Sequence, residues 1–65
     1  MKIEDILTEI NIIKASVDDD EGAHSMEDGL REEFIRYVAK RKDHLGKKAR
    51  LILTTNDIDF RRWYA

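Results

Sequence analysis

The sequence predicts an all-α fold: two longer antiparallel helices, at about 2–17 and 23–41, with two short helices at about 46–54 and 56–64. Three observations carry this expectation. The chain has no proline, and glycine occurs only at 22, 29 and 46, so little interrupts a helix. Apolar residues recur every third or fourth position over most of the length. Finally, 65 residues with 42% hydrophobic content are one domain, 1–65, too apolar for a disordered tail.

In the first segment Ile3, Ile6, Leu7, Ile10, Ile13 and Val17 fall on one side of a helix, with Ile12 nearly opposite. Four consecutive acids, Asp18 to Glu21, then repel one another ahead of Gly22 and predict a loop. These acids also suit the N-terminal dipole of the helix that follows. The stripe of that second helix is Ala23, Met26, Leu30, Phe34, Tyr37 and Val38. Ser25 followed by Asp28 resembles a capping box, which would start the helix a turn late. Glu27–Arg31 and Glu32–Arg36 are i,i+4 pairs in the favourable order. Gly29 reads as a site of close helix approach, and "KRKDHLGKK" as a cationic helix end with a turn at Gly46.

The third segment is the least determined. Leu51, Ile52 and Leu53 are consecutive, so periodicity does not separate helix from strand over 47–55. A strand would have no partner elsewhere in the chain, which favours helix. Thr55 is the expected N-cap of the last helix, with Asp57 and Asp59 in its first turn and Ile58, Phe60 and Trp63 as its apolar residues.

Composition narrows the function classes. Without cysteine there is neither a disulfide nor a thiolate metal site. No apolar run reaches the roughly 18 residues of a membrane span, and "MKIEDILTEI" has acids inside its apolar stretch, unlike a signal peptide. The expectation is a cytoplasmic chain. The net charge of −2 hides an asymmetry: residues 1–33 carry 11 acids and 3 bases, whereas 34–65 carry 9 bases and 3 acids. The halves are expected to fold together and neutralise, the alternative being a basic binding face.

Three constellations are candidates for chemistry or binding. "DDDEGAHSMEDGL" places Asp20, His24 and Asp28 where one cation would bridge them, although the acids equally suit a solvated helix start. Lys40, Arg41, Lys42, Lys47, Lys48 and Arg50 could contact phosphates, with His44 adding charge in mild acid. Against this, "KKARLILTT" lacks the Asn or Gln of a base-reading helix. "DIDFRRWYA" ends the chain with rings that call for a cover, either helices 1 and 2 or a partner. Ile12, Ile35, Arg61 and Tyr64 are the candidate partner-binding residues, and a homodimer through Ile12, Ile35 or Tyr64 is one outcome. Four short helices leave little room for an active-site pocket, so neither an enzyme nor a cofactor is expected.

"AHSMEDGLREEFIRYVA" followed by "KKARLILTTNDIDFRRWYA" resembles a group of short, uncharacterised proteins of bacteriophages and prophage regions. The resemblance covers about residues 18–65. It is carried by a His-x-x-Glu-Asp helix at His24, Glu27 and Asp28 and by Asp-Phe-x-Arg-Trp at Asp59, Phe60, Arg62 and Trp63. As to function, it implies a cytoplasmic accessory protein of phage or bacterial origin and nothing finer; the expected mode of action, protein–protein contact, comes from the small, pocket-poor helical chain itself. The resemblance also implies that His24, Asp28, Arg62 and Trp63 meet in a structural polar cluster.

Overall fold

Two aspartates, each three residues ahead of a glycine, set where the second and third helices begin. In the computed structural model, which describes residues 1–60, α1 runs Ile3–Ala15, α2 Asp20–Ala39 and α3 His44–Leu53, followed by a 3-10 turn, Thr54–Asp57. The all-α expectation holds, and α3 settles the helix-or-strand ambiguity. Asp19 caps α2 by accepting a hydrogen bond from the Gly22 N–H at 3.1 Å, and Asp43 caps α3 by accepting from the Gly46 N–H at 3.0 Å. Helix α2 therefore starts three residues before the expected position. Ser25 and Asp28 lie inside it, not at a capping box. The acids expected to form a loop instead supply the cap and the first turn, where unpaired N–H groups favour negative charge.

The helix ends also have local causes. Helix α1 stops at Ala15, two residues short of the predicted end. There the Ser16 N–H donates to the Ile13 carbonyl and the Ser16 hydroxyl to that of Ile12. Val17 thus leaves the apolar stripe and stands exposed. At the other end of the chain, Thr54 and Thr55 donate their hydroxyls back to Leu51 and Ile52, tightening the last turn of α3 into 3-10 geometry. Thr55 is thus the second residue of the 3-10 turn and not the N-cap of a new α-helix. Ile58 is extended, with ψ 126°, so the helix predicted at 56–64 is absent through Phe60. Its remainder, with Arg61, Arg62, Trp63 and Tyr64, lies outside the described residues.

The three helices lie side by side. Met1 and Ile6 line a hollow with Leu30 and Phe34, which places the start of α1 beside the second half of α2. Helix α3 folds back along the opposite flank, where Leu45, Ala49 and Ile52 line a hollow with Phe34, Ile35 and Val38. Asn56 ties its end to α2 by donating to Glu32 Oε1 at 2.7 Å. Both hairpins are therefore antiparallel. The α3 residues buried against α2 are small. Gly46 and Ala49 are buried, and Ala49, 6% exposed, is the only apolar side chain that counts as core among the described residues.

The result is a plate and not a closed bundle. Its principal extents are 39 × 33 × 10 Å, and its thickness matches one helix with side chains, about 10–12 Å. The Cα radius of gyration is 13.7 Å, against about 11 Å for a compact chain of this length.

Candidate partner-binding face

A plate of amphipathic helices has two broad faces, and here they differ. Along α2, Ser25, Gly29, Glu33, Arg36 and Lys40 share one side, at about 100° per residue, and all are exposed. Phe34, Ile35 and Val38 lie toward the other. Two open hollows indent that second face. The first, of about 440 Å³, is lined by Met1, Ile6, Leu30, Arg31, Phe34 and Ile35. The second, of about 350 Å³, is lined by Phe34, Ile35, Val38, Leu45, Lys48, Ala49 and Ile52. Phe34 and Ile35 belong to both, so the hollows form one apolar surface crossing all three helices.

The exposure of this surface is large. Phe34 is 53% exposed, and Leu45 and Ile52 are exposed too. Burying one such side chain fully is worth about 1.5–3 kcal/mol, much of which this fold forgoes. The accessible surface is 5645 Å², whereas a folded monomer of this mass presents about 4300 Å². Even if the five residues beyond Phe60 are assigned the full area of an unfolded chain, about 600 Å² of excess remains.

Charge is separated along the plate. Asp18, Asp19, Asp20 and Glu21 stand at the start of α2, and Lys40, Arg41 and Lys42 at its end. About 30 Å of helix lies between them, three times the Debye length of about 10 Å at 0.1 M salt. The expected neutralisation between the two halves does not occur between these clusters, because the antiparallel hairpins leave them at opposite ends.

The basic segment is partly spoken for. Arg41 donates to both carboxylate oxygens of Asp43, with Nε 2.9 Å from Oδ2 and Nη2 2.5 Å from it. That bridge and the Gly46 N–H together hold the Asp43 carboxyl at about 2, well below its usual range, and Asp43 in turn raises Arg41. Arg50 Nη1 donates to the Ala39 and Arg41 carbonyls at 2.7 and 2.9 Å, closing the end of α2. Two of the six cations singled out for nucleic acid thus hold the α2–α3 turn. Lys48 borders the apolar hollow, while Lys40, Lys42 and Lys47 are exposed.

The acidic constellation is rearranged. His24, Glu27 and Asp28, all half-buried, bring one ligand atom each within 4.8 Å of one another, with Glu27 in the place expected of Asp20. His24 Nε2 lies 3.8 Å from Asp28 Oδ1, which is ion-pair distance rather than a hydrogen bond. Glu27 is also 3.4 Å from Arg31. Donors at i, i+3 and i+4 on one helix can hold a divalent ion, here in competition with that arginine. The proposed meeting of His24 and Asp28 with Arg62 and Trp63 lies outside the described residues.

Of the candidate partner-binding residues, Ile35 sits at the centre of the apolar face. Ile12 projects about 120° from Ile6 around α1 and borders neither hollow. Arg61 and Tyr64 are outside the described residues. Sequence reasoning missed Phe34, Leu45 and Ile52 as surface residues because helical periodicity marks an apolar side without saying what covers it. The available signal was length: three short helices in one layer have no second layer to bury them.

No family model, curated protein or solved structure matches this chain. No helix among the described residues is long and apolar enough to cross a membrane.

Proposed function

We propose that this chain is a small non-enzymatic binding protein that acts through protein–protein contact, its contact surface being the apolar face centred on Phe34 and Ile35. One observation carries the reading: a continuous apolar face spans all three helices and is left open to water. Patches of this kind mark interaction sites. The lining of the hollows supports a binding role over a catalytic one. It is aliphatic and aromatic, with only Arg31 and Lys48 at its edges, and offers no paired nucleophile and base. The resemblance to short phage proteins adds support for an accessory role.

The test is photo-crosslinking in a bacterial cell, with a photoreactive amino acid placed at Phe34 or, as control, at Arg36 on the polar face. Protein adducts are expected from position 34 and not from position 36. Equal labelling from both faces, or none from either, would overturn the reading.

A further inference from the structure

Nothing among the described residues covers this face, and its charge pattern specifies an occupant. We propose that a second copy of this chain covers it, face to face and antiparallel, about a two-fold axis that passes between Phe34 and Ile35. This rests on the reading of that face as the contact surface. A helical domain closes its core with two packed layers, and this chain supplies one.

Self-complementarity favours a second copy over an unrelated protein. The apolar centre lies between an acidic end and a basic end. An axis between residues 34 and 35 sets Phe34 against Ile35 of the partner subunit. Seven residues further out, about 10 Å along the helix, it sets Glu27 and Asp28 over Lys42 of the partner subunit and its neighbouring turn. Symmetry repeats each pairing at the other end, as a C2 interface requires. Acidic and basic groups that one chain keeps at separate points along α2 thereby meet across two chains. Area agrees as well. An excess of about 600–1300 Å² per chain corresponds to roughly 1200–2600 Å² buried in a dimer, within the range of specific and obligate interfaces.

The experiment is sedimentation equilibrium on the full chain at low salt, with the wild type and the variants Phe34→Glu, Glu27→Lys and Lys42→Glu. The wild type is expected at the mass of two chains, and Phe34→Glu at that of one. Glu27→Lys and Lys42→Glu each place like charges opposite one another, so each alone weakens association about tenfold. Mixed in equal amounts, the two form a heterodimer of nearly wild-type affinity, because each reversed end then meets a reversed end. That rescue is independent of whether Phe34→Glu folds. A wild type that stays at one chain mass, whether firmly folded or molten, overturns the proposal. So does a two-chain species whose charge variants fail to rescue each other. If either occurs while crosslinking at position 34 still captures another protein, the contact-surface reading stands and only the second copy is lost.

Discussion

At the scale of single residues, two glycines on helices behave in opposite ways. A Cβ at Gly46 would meet the Arg41 carbonyl oxygen and lie 2.7 Å from its carbon, and backbone there has no room to give. A Cβ at Gly29 meets nothing within 4 Å, so Gly29 is not the site of close helix approach that its position suggested. Gly46→Ala should therefore destabilise the protein by about 1–3 kcal/mol through overpacking. Gly29→Ala should stabilise it by about 1 kcal/mol through helix propensity. Urea titrations followed by circular dichroism measure both, and effects of the same sign would refute the α2–α3 contact described here. Asp43 makes a second prediction. Its folded pKa of about 2 lies below the ordinary 3.8, so its contribution is full above about pH 4 and fades as pH falls through 2. The Asp43 carboxyl carbon, followed by NMR, should titrate near 2. In Asp43→Asn the stability increment between those pH values should vanish. A midpoint at the ordinary value would mean that the bridge to Arg41 does not persist in solution.

At the scale of elements, the existence of α1, α2 and α3 was legible, whereas their ends were not, and the helix expected at 56–64 is absent through Phe60. Period-3.6 patterning in α1 and α2 reflects the side each turns toward its neighbour, and Ile6, Ile10 and Ile13 are indeed the more covered residues of α1. In α3 the run Leu51, Ile52 and Leu53 splits in space: Leu53 is half-buried, while its two predecessors stay exposed. No run of three consecutive apolar residues announces that split. The ends turned on competition for backbone groups. Asp19 and Asp43 each take an N–H three residues on, a pattern written in the sequence as Asp-x-x-Gly at both starts. It was hidden at 19–22 because four adjacent acids suggest repulsion first. Arg50 is the least foreseeable part, since its two carbonyl acceptors lie 9 and 11 residues away. Arg50→Ala should cost about 1 kcal/mol, below the usual range for charge-assisted bonds because the group is exposed. Hydrogen exchange should then quicken in the last turn of α2 and the first turn of α3 while α1 is unaffected. Both bonds come from Nη1, so Arg50→Lys, which keeps the charge on a shorter arm, should fall between wild type and Arg50→Ala.

At the scale of the whole molecule, burial decides what the chain is as a thermodynamic object. Ile3, 76% exposed, and Phe34 show that neither end nor centre of the plate is sealed by the described residues. An element can be read from its own residues, but whether a layer has a cover depends on molecules outside the sequence. If a second copy provides the cover, folding and association are one reaction, and stability depends on protein concentration. The size of that dependence follows from elementary quantities. A hundredfold rise in concentration favours the associated state by about 2.7 kcal/mol, since it enters as RT ln 100. The unfolding entropy of a dimer twice this length is about 0.27 kcal/mol/K, at about 2.1 cal/mol/K per residue. The melting temperature should accordingly rise by about 10 °C over that hundredfold range. Salt tells which forces join the copies. The charge pairs weaken as the Debye length shrinks from about 30 Å at 0.01 M to about 10 Å at 0.1 M, whereas the apolar centre does not. Added salt should therefore lower the melting temperature of the wild type at fixed concentration but leave its concentration dependence in place. In Phe34→Glu the concentration dependence should disappear. Thermal melts followed by circular dichroism at several concentrations decide it, and a wild-type midpoint that ignores concentration would show that this plate is stable without a second layer.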